Sequence, residues 1–189
     1  RSVSRGLGDV YKRQGWWGIY TSKKHDDMLW PDMTWCFIIA YDLWNFEYTY
    51  NNLTTHAFYC GVALLLAPTF ANMFWNKGGW IQNRANTLAL WCMFAQVFPL
   101  FQDKSRFSVL TSVYADGYMD PTVPPTNADP KMQGIIAIIA LVANVCVFAS
   151  IIKRAKEQKK NPYKNEIFTD QKDYKLALER AAEKARKAA

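Results

Sequence analysis

Met132–Ile152 reads MQGIIAIIALVANVCVFASII, 21 residues without a charge. At 1.5 Å per residue, such a helix crosses a hydrocarbon core of about 30 Å. A helix in a soluble core is rarely apolar on every side for this long. The stretch therefore predicts a membrane-spanning helix, and the rest of the chain is read outward from it. His56–Trp75 (HAFYCGVALLLAPTFANMFW) carries no Lys, Arg or carboxylate, and Pro68 in its middle predicts a kink. Arg84–Phe101 is a weaker apolar segment with Pro99 near its end. Thr34–Tyr50 is the most mixed: TWCFIIAY is apolar, then Asp42, Asn45 and Glu47 follow. Trp30, Trp35, Tyr48, Tyr50, Trp75 and Trp80 collect at segment ends, where membrane interfaces favour them.

The expected architecture is an all-α, polytopic transmembrane bundle of four spans (34–50, 56–75, 84–101, 132–152) with a C-terminal helix. The competing reading is a soluble helical domain, which the mean hydropathy of −0.19 favours. That average is lowered by the loops and the tail. Tyr174, Leu178, Ala181 and Ala185 form a thin apolar stripe in the tail, with Asp170 and Asp173 suiting a helix start. Residues 15–152 are thus the membrane domain and 153–189 a basic cytoplasmic tail.

The net charge of +7 is unevenly spread. Residues 1–14 are net +3, residues 15–152 net −2 and residues 153–189 net +6. A basic globular surface is not implied, and neither is nucleic-acid binding. Lys23, Lys24, Lys77, Arg84 and the cluster Lys153, Arg154, Lys156, Lys159, Lys160 all fall on one side if four segments alternate. The Lys/Arg bias then puts the C-terminus in the cytoplasm and Gln102–Lys131, with four Pro, outside. The five basic residues of the last cluster are candidates for contact with anionic lipid. GWWGIY (Gly15–Tyr20) reads as the cytoplasmic end of an upstream helix.

Asp9–Gln14 (DVYKRQ) back-translates to GAT GTG TAT AAG AGA CAG, the mosaic end of a transposase-based sequencing adapter. Residues 1–14 are accordingly read as adapter-derived, the alternative being a genuine basic arm. On this reading the chain is a C-terminal fragment whose upstream helices would be partners of the bundle.

Cys36, Cys60, Cys92 and Cys146 stand alone in apolar stretches, without zinc or disulfide spacing. No metal site is expected, since His25 and His56 fall on opposite sides, and no cofactor motif is present. A GxSxG elbow and a phosphate-binding Gly-rich loop are absent.

The chemistry-bearing residues are Asp42, Asn45, Glu47, His56 and Gln96. Asp42 and Asn45 share a helix face, while Glu47 is about 140° round from Asp42. A carboxylate within a span costs about 2.5–3.5 kcal/mol on insertion scales and usually faces a bundle interior or cavity. Alternating topology would gather the five in the outer half. Small-solute or ion transport or sensing is the leading expectation, with Asp42 and Glu47 carrying charge and His56 relaying protons. A structural protein whose polar groups only bond helices together is the alternative. An intramembrane hydrolase using His56 with a carboxylate is a second alternative.

YDLWNFEYTYNNLTTHAFYCGVALLLAPT (41–69) and FWNKGGWIQNRANTLALWCMFAQVFP (74–99) resemble the C-terminal half of an uncharacterised bacterial multi-pass membrane family of unknown function. NPYKNEIF (161–168) fits that family's tail. The resemblance runs from about Trp30 onward. It implies a protein of the bacterial inner membrane and supplies no activity, cofactor or catalytic residue.

Overall fold

The computed structural model describes residues 19–21, 28–52, 62–98 and 129–187. Two short strands, β1 (Tyr20–Thr21) and β2 (Met28–Leu29), precede five helices. These are α1 (Trp35–Asn52), α2 (Leu64–Phe74), α3 (Trp80–Val97), α4 (Pro130–Gln158) and α5 (Lys172–Lys187). The all-α expectation is met. Among the described residues, α4 is the one helix long and apolar enough to cross a bilayer. The other helices are shorter or carry more polar groups: Asp42, Asn45 and Glu47 on α1, Asn83 and Arg84 on α3.

Helix α4 starts and stops for local reasons. Asp129, in extended conformation, accepts the Lys131 amide at 2.8 Å, and Pro130 occupies the first turn, where its missing N–H costs nothing. At the other end Lys159 adopts φ 52°, donating to Lys156 O at 3.2 Å, while Lys160 N reaches Ala155 O at 3.0 Å. That pair of bonds is a Schellman stop, here with a lysine in the left-handed position. The helix therefore runs six residues past the apolar stretch, through Arg154.

Two antiparallel helix pairs form the body, α1 with α4 and α2 with α3. Asn144 of α4 donates to Ala40 O of α1 at 3.2 Å and to its own Ala140 O at 2.8 Å. Pro68 lies buried inside α2, which stays helical on both sides. Its ring leaves Leu64 O without the usual amide donor, and the Thr87 hydroxyl of α3 stands 3.4 Å from that oxygen. We call the end holding Trp35, Phe74, Trp80 and Gln158 the near end. Two core clusters among the described residues lie there: Met33, Ile38 and Trp80 form one, and Ile151, Ile167 and Phe168 a second, with Phe37 against both. The outer faces of α4 are bare by contrast. Ile138, Leu141 and Phe148 are each 63% exposed.

Three expectations change. Tyr20 belongs to a strand, paired with Leu29, and is not the end of a helix; residues 15–18 lie outside the described residues. Trp80 and Tyr50 are buried, so they are core residues; Trp35, Tyr48 and Trp75 are exposed as interfacial anchors would be. The segment after α4 folds back onto the body, burying Ile167, Phe168, Tyr174 and Ala177. Its helix begins at Lys172 and not at Asp170, whose carboxylate pairs with Arg154.

Gly78 is the joint of the near end. It adopts φ +82° in the turn between α2 and α3. Its N–H donates to Asn72 Oδ1 at 2.9 Å and its carbonyl accepts the Trp30 amide at 2.6 Å. A Cβ here would meet the Ala177 Cβ of α5 at 2.8 Å. Gly78→Ala is expected to destabilise the protein by about 2 kcal/mol, from left-handed backbone strain plus this clash. Ala177→Gly in the same chain should recover the steric part, giving a coupling of about 1 kcal/mol in a thermal-unfolding double-mutant cycle. Strict additivity of the two substitutions would refute the contact.

Candidate functional site

Among the described residues, polar groups gather in two places. The first links three helices. The Trp80 indole N–H of α3 donates to Thr69 Oγ1 at 2.9 Å, and the Thr69 hydroxyl of α2 donates to Asp42 Oδ2 of α1 at 2.6 Å. The other carboxylate oxygen, Asp42 Oδ1, is buried without a hydrogen-bond partner among the described residues. Arg84, one turn beyond Trp80, lies within electrostatic reach of Asp42, and its Nε and Nη1 are buried and likewise unpartnered there. Beside this relay a groove of about 320 Å³ opens between α1 and α2. Asp42 and Thr69 are its polar lining; Leu43, Phe46, Leu65 and Leu66 are among its apolar walls. An apolar groove with one charged group suits a small cationic or protonatable guest.

Of the five residues expected to act together, Asp42 holds this position. Asn45 sits one turn on, half-buried, its carbonyl taken by Thr49 Oγ1 at 2.7 Å. Glu47 Oε1 accepts from the Asn51 amide, a local bond along α1. Gln96 is exposed near the far end of α3. Sixteen residues separate it from Trp80, about 24 Å along the helix, so it does not join Asp42. His56 lies outside the described residues. Thr69, Trp80 and Arg84 escape sequence reading. Thr69 hides in an apolar run, Trp80 looks like an interfacial anchor, and Arg84 counts only as a charge that sets topology.

The second cluster fastens the C-terminal segment to the near end. Tyr20 OH donates to Glu166 Oε1 at 2.8 Å and Tyr174 OH to Glu166 Oε2 at 2.6 Å, with the phenols 3.5 Å apart. Asp32 Oδ1 accepts the Phe168 amide at 3.0 Å, while its Oδ2 is buried and unpartnered among the described residues. Arg154 spans the joint: Nε reaches Ile167 O at 3.2 Å, a terminal nitrogen pairs with Asp170, and the guanidinium lies 4.9 Å from the Phe168 ring centre. Gln158 Nε2 adds a second bond to Ile167 O at 2.7 Å, and Lys77 pairs with Asp173 at 3.2 Å. Arg154 is therefore committed inside the protein, and of the five basic residues considered for lipid it is the one withdrawn.

Burial dominates the titration here. It raises Tyr20 and Tyr174 above the usual phenol range, with Glu166 adding to both. It pushes Asp32 from 3.8 up to about 6; the Phe168 and Ile167 amides and Arg154 pull the other way, and Glu166 adds to the rise. No group of three or more metal-ligating side chains occurs among the described residues.

Docking therefore depends on pH. Undocking exposes Asp32 and moves it from about 6 back toward its ordinary 3.8, so the docked state binds the proton more tightly. The docked state is favoured below about pH 4, and the advantage is lost as pH rises through about 6, a change of at most about 3 kcal/mol. Amide-exchange protection at Ile167 and Phe168, corrected for intrinsic rates, should fall over that window. Asp32→Asn keeps an acceptor and should flatten the dependence; an unchanged slope in that variant would overturn the assignment.

No curated protein and no solved structure matches the chain. One family model does, over residues 5–180, which extends upstream of the Trp30 limit and through the stretch read as adapter-derived. With that coverage the chain belongs to DUF5692, a family of unknown function.

Proposed function

We propose that this chain is an integral protein of a bacterial inner membrane, and that the Asp42 groove admits a small solute or ion for transport or sensing. The membrane reading is supported by α4. Its apolar window has a mean hydropathy of 2.9 yet is only 11% buried, so its side chains are solvated by something other than the protein. Contiguous apolar surface of that extent is rare on proteins that live in water. With the Lys/Arg bias as guide, the near end faces the cytoplasm. Asp42 then lies about 10 Å above Trp35, in the inner half of the bilayer and not the outer half.

The transport or sensing reading is carried by one observation: Asp42 presents a buried, unpartnered oxygen beside a groove, with Arg84, whose Nε and Nη1 are likewise unpartnered among the described residues, in electrostatic reach. Unmet polar groups in an apolar medium cost several kcal/mol, so such a constellation persists where a guest or a proton completes it. A second reading has its own support. The Trp80–Thr69–Asp42 relay joins three helices, as a purely structural polar bond would.

Asp42→Asn separates the two, because the amide oxygen still accepts from Thr69 while the charge is gone. The full chain should stay in the membrane pellet through alkaline carbonate extraction; release to the supernatant would end the membrane reading. Reconstituted into vesicles under an imposed potential, it should pass H⁺, Na⁺ or K⁺ above the level of empty vesicles. The Asp42→Asn variant should lower that flux about tenfold with unchanged thermal stability. Flux equal to wild type, or none above empty vesicles, would leave only the structural role.

A further inference from the structure

A second groove, of about 370 Å³, lies between α1 and α4 on the side away from Asp42's apolar groove. Phe37, Tyr41 and Trp44 form its α1 wall, and Phe148 and Ile152 its α4 wall. Tyr163, 72% exposed in the turn after α4, stands at the near-end mouth. The walls run about 12 Å along α4, from Asn144 to Ile152. One turn further on the same helix face, four residues past Ile152, comes Lys156, and Lys159 follows. Both are exposed, as are Lys160 and Lys164. Apolar walls with an aromatic hydroxyl at their mouth and exposed lysines in the next turn of the chain match the two halves of a lipid.

We propose that this groove is a binding site for one anionic phospholipid, an acyl chain lying between α1 and α4 and the phosphate resting on Lys156 and Lys159. The proposal rests on the membrane reading but not on transport through the Asp42 groove. Charge complementarity selects the occupant. Each basic side chain near the surface favours an anionic headgroup, and a zwitterionic one gains little from the same lysines. The apolar part of the groove supplies affinity in proportion to the methylenes it takes from their neighbours, and Tyr163 stands at its mouth as an interfacial aromatic does. Arg154 takes no part, being held by Asp170 and Ile167. A second copy of the chain is the competing occupant.

The test uses the full chain, extracted from membranes in a mild detergent. Native mass spectrometry and thermal unfolding are followed while phosphatidylglycerol or phosphatidylcholine is added. One phosphatidylglycerol should bind per chain and raise the unfolding midpoint, with phosphatidylcholine about tenfold weaker. The Lys156→Glu, Lys159→Glu double variant should abolish the preference; both side chains are exposed, and the two carboxylates at the end of α4 lower the unliganded midpoint slightly without touching the groove. Val147→Phe, which fills the groove from its α4 wall, should weaken both lipids together. Equal binding of the two lipids by wild type, or a preference surviving the lysine reversals, would overturn the site. A dimer mass lost on Val147→Phe would reassign the groove to a second copy. A chain that stays soluble without detergent would instead sink the membrane reading itself.

Discussion

The hydroxyl of Thr69 is the atom on which the helix arrangement turns. It receives the Trp80 indole from α3 and gives its own proton to Asp42 on α1, while sitting on α2. A hydroxyl has one proton to give, so the direction of the relay is set once the indole has donated. Losing it would strand a carboxylate and an indole together, and an abandoned buried acceptor costs more than the bond itself is worth. The same residue sits next to Pro68, whose missing amide loosens α2 at the level where the relay crosses it. Tyr41 closes the arrangement, its ring packed edge-on against Trp80 at 5.0 Å.

At the near end the logic is different. There the C-terminal segment is held by a set of unlike contacts: a carboxylate on a backbone amide, two phenols on one glutamate, a guanidinium across a phenyl ring. None is strong alone. Together they tie down both ends of the Glu166–Asp170 stretch, and the burial of Ile167 and Phe168 supplies the apolar share. Helix α5 then adds Tyr174 and Ala177 against the same surface.

How far this was legible in the sequence varies with the kind of signal. Met132–Ile152 announced α4 through length and absence of charge, since nothing else in the chain competes with that pattern. Asp42 stood out because a carboxylate in an apolar helix is costly wherever it points. Its partners did not. Thr69 and Trp80 are ordinary residues in apolar segments, and their pairing depends on the register between helices, which single-segment periodicity cannot encode. The grouping of Asp42 with Gln96 failed for a related reason: alternating topology fixes which way each segment runs, not how high Asp42 sits along its helix. The tail misled because its charge dominates its composition. Ile167 and Phe168 are two apolar residues among many lysines, too short a run for periodicity to reveal a docked segment. NPYKNEIF carried the hint, since Glu166 proves to be the acceptor for two tyrosines.

Gly78 also imposes a calendar on the protein's synthesis. The pit that receives Ala177 exists only after the turn has taken its left-handed shape and Asn72 has captured its amide. Residue 177 leaves the ribosome about a hundred residues after residue 78, when that turn has had seconds to form. Helix α5 can therefore seat only on a finished turn, and a misassembled α2–α3 hairpin offers Ala177 no close approach. The glycine makes the seating of one helix an inspection of an earlier step.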